Sequence, residues 1–237
     1  MPDMLKKLKS ELRELADTER AKASLRFFKT GPGEYGEGDK FLGLNVPDLR
    51  RLSKSFKLLS NDDTLQLLSS EFHEERLLSL FILLLKFKQG SPSDQKEIYE
   101  LYMKNVGYVN NWDLVDCSAP DIVGAYLVDK SKDPLYKFAV SNSLWERRIA
   151  VLSTLYYIKR GSFDETLKIA DILLKDKEDL IHKAVGWMLR EVGNRDISAE
   201  KAFLNKCYNS MPRTMLRYAI EKYPEPERKE YLAGTIT

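Results

Sequence analysis

An all-helical architecture of stacked repeats is what this sequence of 237 residues predicts, and three observations carry it. Apolar residues recur mainly at i, i+3, i+4 and i+7, the spacing of one helix face, and runs of strict period-two alternation are lacking. Four segments, Glu75 to Phe81, Glu146 to Leu152, Ile181 to Trp187 and Met215 to Ile220, each set a basic residue ahead of an apolar helical stretch. Finally, Arg76, Asp113, Arg148, Lys183 and Arg217 follow one another at steps of 37, 35, 35 and 34 residues. Such a step is close to the ~40 to 47 residues of a HEAT or armadillo unit, in which paired helices stack and their inner helices line a concave face. The expected fold class is therefore all-α: a HEAT-like or armadillo-like helical-repeat solenoid, an α-α superhelix with a concave basic groove, forming one domain over residues 1–237.

The elements follow in order. Met1 to Leu15 mixes Lys6, Lys7, Lys9, Glu11 and Glu14 with leucines, which reads as an amphipathic helix and lacks the apolar centre of a signal peptide. Thr30 to Lys40 holds four glycines and a proline and must be a loop; long loops inside compact domains are often functional. Residues 1–40 are expected to form N-terminal helices and this glycine-rich loop, packed on the repeats. Helix starts are marked by Asn61-Asp62-Asp63 before Thr64, by Ser91-Pro92-Ser93-Asp94 and by Asp133-Pro134, because Asn, Asp and Ser cap N-termini and Pro suits a first turn. Gly90, Gly161 and Gly193 read as C-terminal stops. The apolar run Leu77 to Leu85 is far shorter than the ~20 residues of a membrane span and is bracketed by Arg76 and Lys86.

Composition excludes several classes. The net charge of +2 does not by itself announce a nucleic-acid binder, so distribution matters more than the total. Acidic residues crowd Glu34 to Asp39, Glu71 to Glu75 and Asp171 to Asp179, while Arg147, Arg148, Lys159, Arg160, Lys183 and Arg190 gather in the second half. One basic and one acidic surface are expected. Cys117 and Cys207 are the only cysteines and lack Cys-x-x-Cys spacing; His73 and His182 lie in no His-x-x-x-His pattern. Reduced cysteines, no metal, no cofactor, no membrane and a cytoplasmic monomer, nucleoid-associated if bacterial, are the expectations.

Chemistry concentrates at two places. In Asn111-Trp112-Asp113-Leu114-Val115-Asp116, an aromatic ring and a carboxylate stand four residues apart, hence on one helix face, and a ring beside an anion can hold a cation. The competing structural role is a core Trp next to a capping Asp. Between Asp179 and Gly193, Lys183, Trp187 and Arg190 fall on one stripe, with Ala184 and Gly186 beside it, a basic and aromatic surface suited to a phosphate backbone around an unsaturated ring. Trp145 and Arg148 add a ring and a cation, so the three tryptophans read as occupying corresponding places in successive repeats.

At these residues the chain resembles the DNA alkylation repair glycosylases of the AlkD type, built from HEAT-like repeats. The likeness covers nearly the whole chain and rests on Phe41-Leu42-Gly43-Leu44 followed by Pro47, on Trp112-Asp113-x-Val115-Asp116, on Leu144-Trp145-x-x-Arg148 and, most specifically, on Lys183-Ala184-Val185-Gly186-Trp187-x-Leu189-Arg190-Glu191. It departs at Asn111, where the family often has a second tryptophan, and in the longer glycine-rich loop. The resemblance implies removal of positively charged N3- and N7-alkylpurines from duplex DNA, without metal or cofactor. It implies Asp116 as the catalytic carboxylate, Trp112 and Trp187 as the lesion-flanking rings and Arg148 as a DNA contact; Lys183 and Arg190 would join it at the backbone.

Three functions compete: a monofunctional glycosylase, a DNA-binding or DNA-structure-sensing repeat protein without catalysis, and a protein-interaction scaffold, a common use of helical repeats. The first leads.

Overall fold

A computed structural model describes residues 4–236. Among them the regular structure is helical, and the one β pairing is an isolated bridge between Lys40 and Phe72. The all-α class stands, with helices stacked as in HEAT and armadillo repeats. The chain divides into two compact units, Met1–Ser118 and Ala119–Thr237.

The first unit holds α1 (Met4–Glu14), α2 (Thr18–Phe27), α3 (Val46–Ser55), α4 (Asn61–Leu68), α5 (His73–Gln89), α6 (Pro92–Lys104) and α7 (Trp112–Ala119), which ends at the unit boundary. Its centre is α5, buried without a break from His73 to Leu84 and flanked by α3, α4 and α6. A helix apolar all round has no solvent face to offer and becomes a core element. Its first turn departs from that rule, because His73, Glu74, Glu75 and Arg76 are buried too, and each is paired. The Glu74 carboxylate accepts the backbone N–H groups of Leu42 (2.9 Å), Gly43 (2.8 Å) and Leu44 (3.3 Å). Those amides converge because Gly43 adopts φ +81°, where a Cβ would lie 2.0 Å from the Asp17 carbonyl oxygen; only glycine fits.

The second unit opens on a π-helical turn, Pro120–Gly124, and continues through α8 (Ala125–Leu127), α9 (Asp133–Ala139), α10 (Leu144–Ser153), α11 (Leu155–Ile158), α12 (Asp164–Leu173), α13 (Asp179–Gly193), α14 (Ile197–Cys207), α15 (Arg213–Ala219) and α16 (Glu225–Ala233). Here α13 is the centre, packed on α10, α12, α14 and α15. Its approach to α15 depends on Gly186, where a Cβ would meet the Met215 carbonyl oxygen at 2.4 Å.

The repeated positions Arg76, Asp113, Arg148, Lys183 and Arg217 all lie within the first two turns of α5, α7, α10, α13 and α15, so the sequence period is a helix period. Three local expectations need correction. The side chain capping α4 is Ser60, one residue before Asn61, and α9 begins at Asp133 without a side-chain cap. Gly193 is the last residue of α13, the end marked in the sequence, and there the Glu200 carboxylate occupies the space a Cβ would need. The tryptophans are not equivalent either: Trp112 and Trp145 sit in first turns, whereas Trp187 lies more than two turns into α13. Among the described residues no helix is long and apolar enough to cross a membrane.

Candidate active site

In the first unit, α7 turns two kinds of side chain in two directions. Leu114, Val115 and Ser118 are buried, the Ser118 hydroxyl reaching the buried Tyr102 hydroxyl at 3.0 Å. Trp112 and Asp116 are half-buried, one helical turn apart. The helix start is fixed by its own polar residues: Asn111 Oδ1 accepts the Trp112 N–H (2.8 Å), and Asp113 Oδ1 accepts the Leu114 N–H (2.9 Å). Carboxylates favour such a position, where backbone N–H groups lack helical partners.

Behind that start lies a buried charge network. His73 Nε2 is 2.8 Å from Asp113 Oδ2, and its Nδ1 is 3.3 Å from Asp39 Oδ2. Arg76 Nη2 donates to Asp39 Oδ1 (2.6 Å), and Asn111 Nδ2 donates to Asp39 Oδ2 (3.2 Å). Two acids thus face two bases, which is the condition for keeping charges out of water. Burial disfavours the imidazolium, but hydrogen bonds to Asp113 and Asp39 outweigh it and raise His73 from 6.5 to about 9. Burial likewise opposes ionisation of Asp39, while His73, Arg76 and Asn111 together hold its carboxyl below the usual range.

These shifts predict a pH profile for stability. Because the folded value of His73 lies above 6.5, its contribution is complete below about 6.5 and is lost as pH rises through about 9. Asp39 acts in the opposite sense: its contribution is present above 3.8 and is lost as pH falls through its lowered value. Chemical denaturation between pH 6 and 10 should show a decline that His73→Gln flattens; an equal slope in both proteins would refute the assignment.

Aromatic rings continue the network outward. Phe28 stacks on Phe41 (ring centroids 5.1 Å apart) and on Trp112 (5.6 Å) and meets His73 at a tilt (4.7 Å), and Phe41 stacks on His73 (4.8 Å). Phe27, well exposed, meets Trp112 edge-on at 5.9 Å. Burial pushes the Cys117 thiol well above its ordinary value, and the negative charges of Asp113 and Asp116 add to this. Burial also raises Cys207, to about 11.

The other sequence-predicted residues belong to the second unit. Lys183, Trp187 and Arg190 lie along one face of α13, all half-buried. Each cation is held by an acid of its own chain, Lys183 by Asp179 (2.8 Å) and Arg190 by Glu221. Arg148 is buried, 5% exposed, and donates from Nη1 to the Leu180 carbonyl at the start of α13. Trp112 and Asp116 therefore form one group on α7, and Arg148, Lys183, Trp187 and Arg190 form another on α10 and α13.

Sequence reading missed His73, Asp39 and Asp113 as a unit, as well as the rings of Phe28 and Phe41. One signal was present. Asp113 occupies the repeated position that carries a cation in the other four repeats, and a reversed charge there calls for a cationic partner.

With this geometry in place, comparison with known proteins is decisive. A family model described as "DNA alkylation repair enzyme" matches residues 8–223. The chain belongs to that family. Among solved structures, it is similar to a predicted DNA alkylation repair enzyme from Enterococcus faecalis (TM-score 0.70, 16% identity, 89% of this chain and 97% of that one). It is also similar to AlkD2 from Streptococcus mutans (TM-score 0.53, 16% identity, 93% and 97%) and to smu.31 from Streptococcus mutans UA159 (TM-score 0.52, 16% identity, 94% and 100%). At that identity the likeness to these structures is one of fold. No curated protein matches the chain. Membership in a DNA alkylation repair family makes DNA the partner class against which the site is to be judged.

Proposed function

We propose that the protein is a monofunctional, metal-independent glycosylase that hydrolyses the N-glycosidic bond of positively charged N3- and N7-alkylpurines in duplex DNA. The observation that carries this is the half-buried pair Trp112 and Asp116, one turn apart on a helix whose start is braced from behind.

The chemistry asks little more of the chain. An alkylated purine already carries a positive charge, so no general acid is needed to make it a leaving group. As the bond from C1′ to the base nitrogen breaks, its electron pair neutralises the purine and positive charge moves onto the sugar. A carboxylate held near C1′ stabilises that oxocarbenium-like sugar and orients the water that adds to it; the added water gives up one proton to solvent, leaving an abasic site and the free base. The faces of Trp112 and Trp187 favour the cationic nucleotide by ~0.5 to 2 kcal/mol each. Arg148, Lys183 and Arg190 are the proposed backbone contacts. Lys183 and Arg190 would exchange Asp179 and Glu221 for phosphate, so binding should weaken steeply with salt.

The test uses duplex oligonucleotides bearing one N7-methylguanine, or one neutral lesion such as hypoxanthine. Release of the charged base alone is expected. Comparable release of both would show that substrate charge is not what the site uses. Salt-sensitive DNA binding with release of neither would favour the alternative, a DNA-structure-sensing protein without chemistry.

A further inference from the structure

We propose that Asp39, His73 and Asp113 act as positioning residues, a charge-balanced clamp through which the glycine-rich loop and α5 fix the first turn of α7, and with it the Trp112 ring and the Asp116 carboxylate. The role given to Asp116 rests on the function proposed above; the clamp itself does not.

The loop that breaks the repeat pattern ends in Asp39, and Asp39 is where three elements meet. From α5 come Arg76 and His73; from the start of α7 comes Asn111, whose other amide atom accepts the Trp112 N–H. A second path runs from His73 through Asp113, a residue of α7 itself. A third runs through rings: His73, Phe28 and Phe41 cluster with centroids 4.7 to 5.1 Å from one another, and Phe28 stacks on Trp112. Two polar paths and one ring path therefore converge on the first turn of α7, at Trp112 and Asp113. Arg76 completes the balance, so that Asp39 with Arg76 and Asp113 with His73 form two neutral halves.

This accounts for two features that a surface connection leaves unexplained. The loop is acidic yet delivers its last acid into the interior, with the Asp39 side chain only 7% exposed. It is also held to its own turns, by Glu34 accepting the Gly31 N–H and Glu37 accepting the Gly33 N–H, which restricts how Asp39 is presented. A network needed for packing alone could be replaced by apolar side chains of similar volume. A network that aims a ring and a carboxylate must keep its geometry, because a misplacement of about 1 Å at a reacting centre lowers rates by about 10²-fold.

The test compares wild type, His73→Gln, Asp113→Asn and the double variant His73→Gln/Asp113→Asn, which makes the α7 half neutral again. Three readouts are taken: thermal stability, single-turnover release of N7-methylguanine against DNA affinity, and the Trp112 indole N–H resonance of the free protein. For His73→Gln, we expect a rate loss of about 10 to 100-fold with DNA affinity within about two-fold, a shifted or broadened Trp112 signal, and recovery of both in the double variant. If His73→Gln does not fold, Asp39→Asn carries the same comparison. Lowered stability with an unchanged rate and an unchanged Trp112 resonance would reduce the network to packing and overturn the clamp. If wild type releases no base, the glycosylase assignment falls, and the Trp112 resonance alone still decides the clamp.

Discussion

Glu74→Ala is expected to lower the thermal midpoint by about 10 °C, the largest stability loss of any substitution considered. The side chain is 3% exposed and accepts three consecutive backbone N–H groups, those of Leu42, Gly43 and Leu44. Removing it strands buried donors at about 1 to 3 kcal/mol each, partly offset by relaxation and water entry. A net loss near 4 kcal/mol corresponds to about 10 °C for a chain of this size. Glu74→Gln, which keeps an accepting oxygen of the same reach, should lose less than half as much. A midpoint for Glu74→Ala within about 2 °C of wild type would mean that the Leu42 to Leu44 segment is held by other means.

Asp116→Asn is expected to slow single-turnover base release by about 10² to 10³-fold, the loss typical when one preorganised charge-stabilising group is removed. The amide is isosteric with the carboxylate but brings no negative charge to the sugar. Affinity for methylated duplex should stay within about three-fold of wild type, or rise slightly, because the anion repels the phosphate backbone. Asp113→Asn differs in kind: Asp113 is engaged by His73 and faces away from the nucleotide in the proposed arrangement, so its loss should act through stability and the geometry of α7. The contrast between two aspartates three residues apart on one helix separates direct stabilisation of the sugar from positioning.

Periodicity made the fold legible. The recurrence of Arg76, Asp113, Arg148, Lys183 and Arg217 reports a helix repeat because each stands in the opening turns of a core helix, and core packing imposes a period on sequence. The pairing of Trp112 with Asp116 was legible for a related reason: once a helix is given, i and i+4 share a face. His73 with Asp39 was not, because the two residues are 34 apart with α3 and α4 between them, and the segment that follows Asp39 takes its path from Gly43 and from the amides around Glu74. The packing roles of Gly43, Gly186 and Gly193 were hidden in the same way, since each answers to a close approach by a segment elsewhere in the sequence. Cation counting was a weaker guide than it seemed. Lys183 and Arg190 are paired with Asp179 and Glu221, and Arg148 is buried against a carbonyl, so each of these cations already has a partner within the fold.

The central claim is that this chain breaks an N-glycosidic bond and that Asp116 does so. Its most direct test is product accounting on a duplex oligonucleotide with a single N7-methylguanine, under multiple turnover, for wild type and Asp116→Asn side by side. Free N7-methylguanine and abasic sites should appear in equal amounts with wild type, linear in enzyme and without strand cleavage, and fall by at least about 100-fold in Asp116→Asn. Equal release by the two proteins, or none by wild type while it still binds the duplex, would contradict the account.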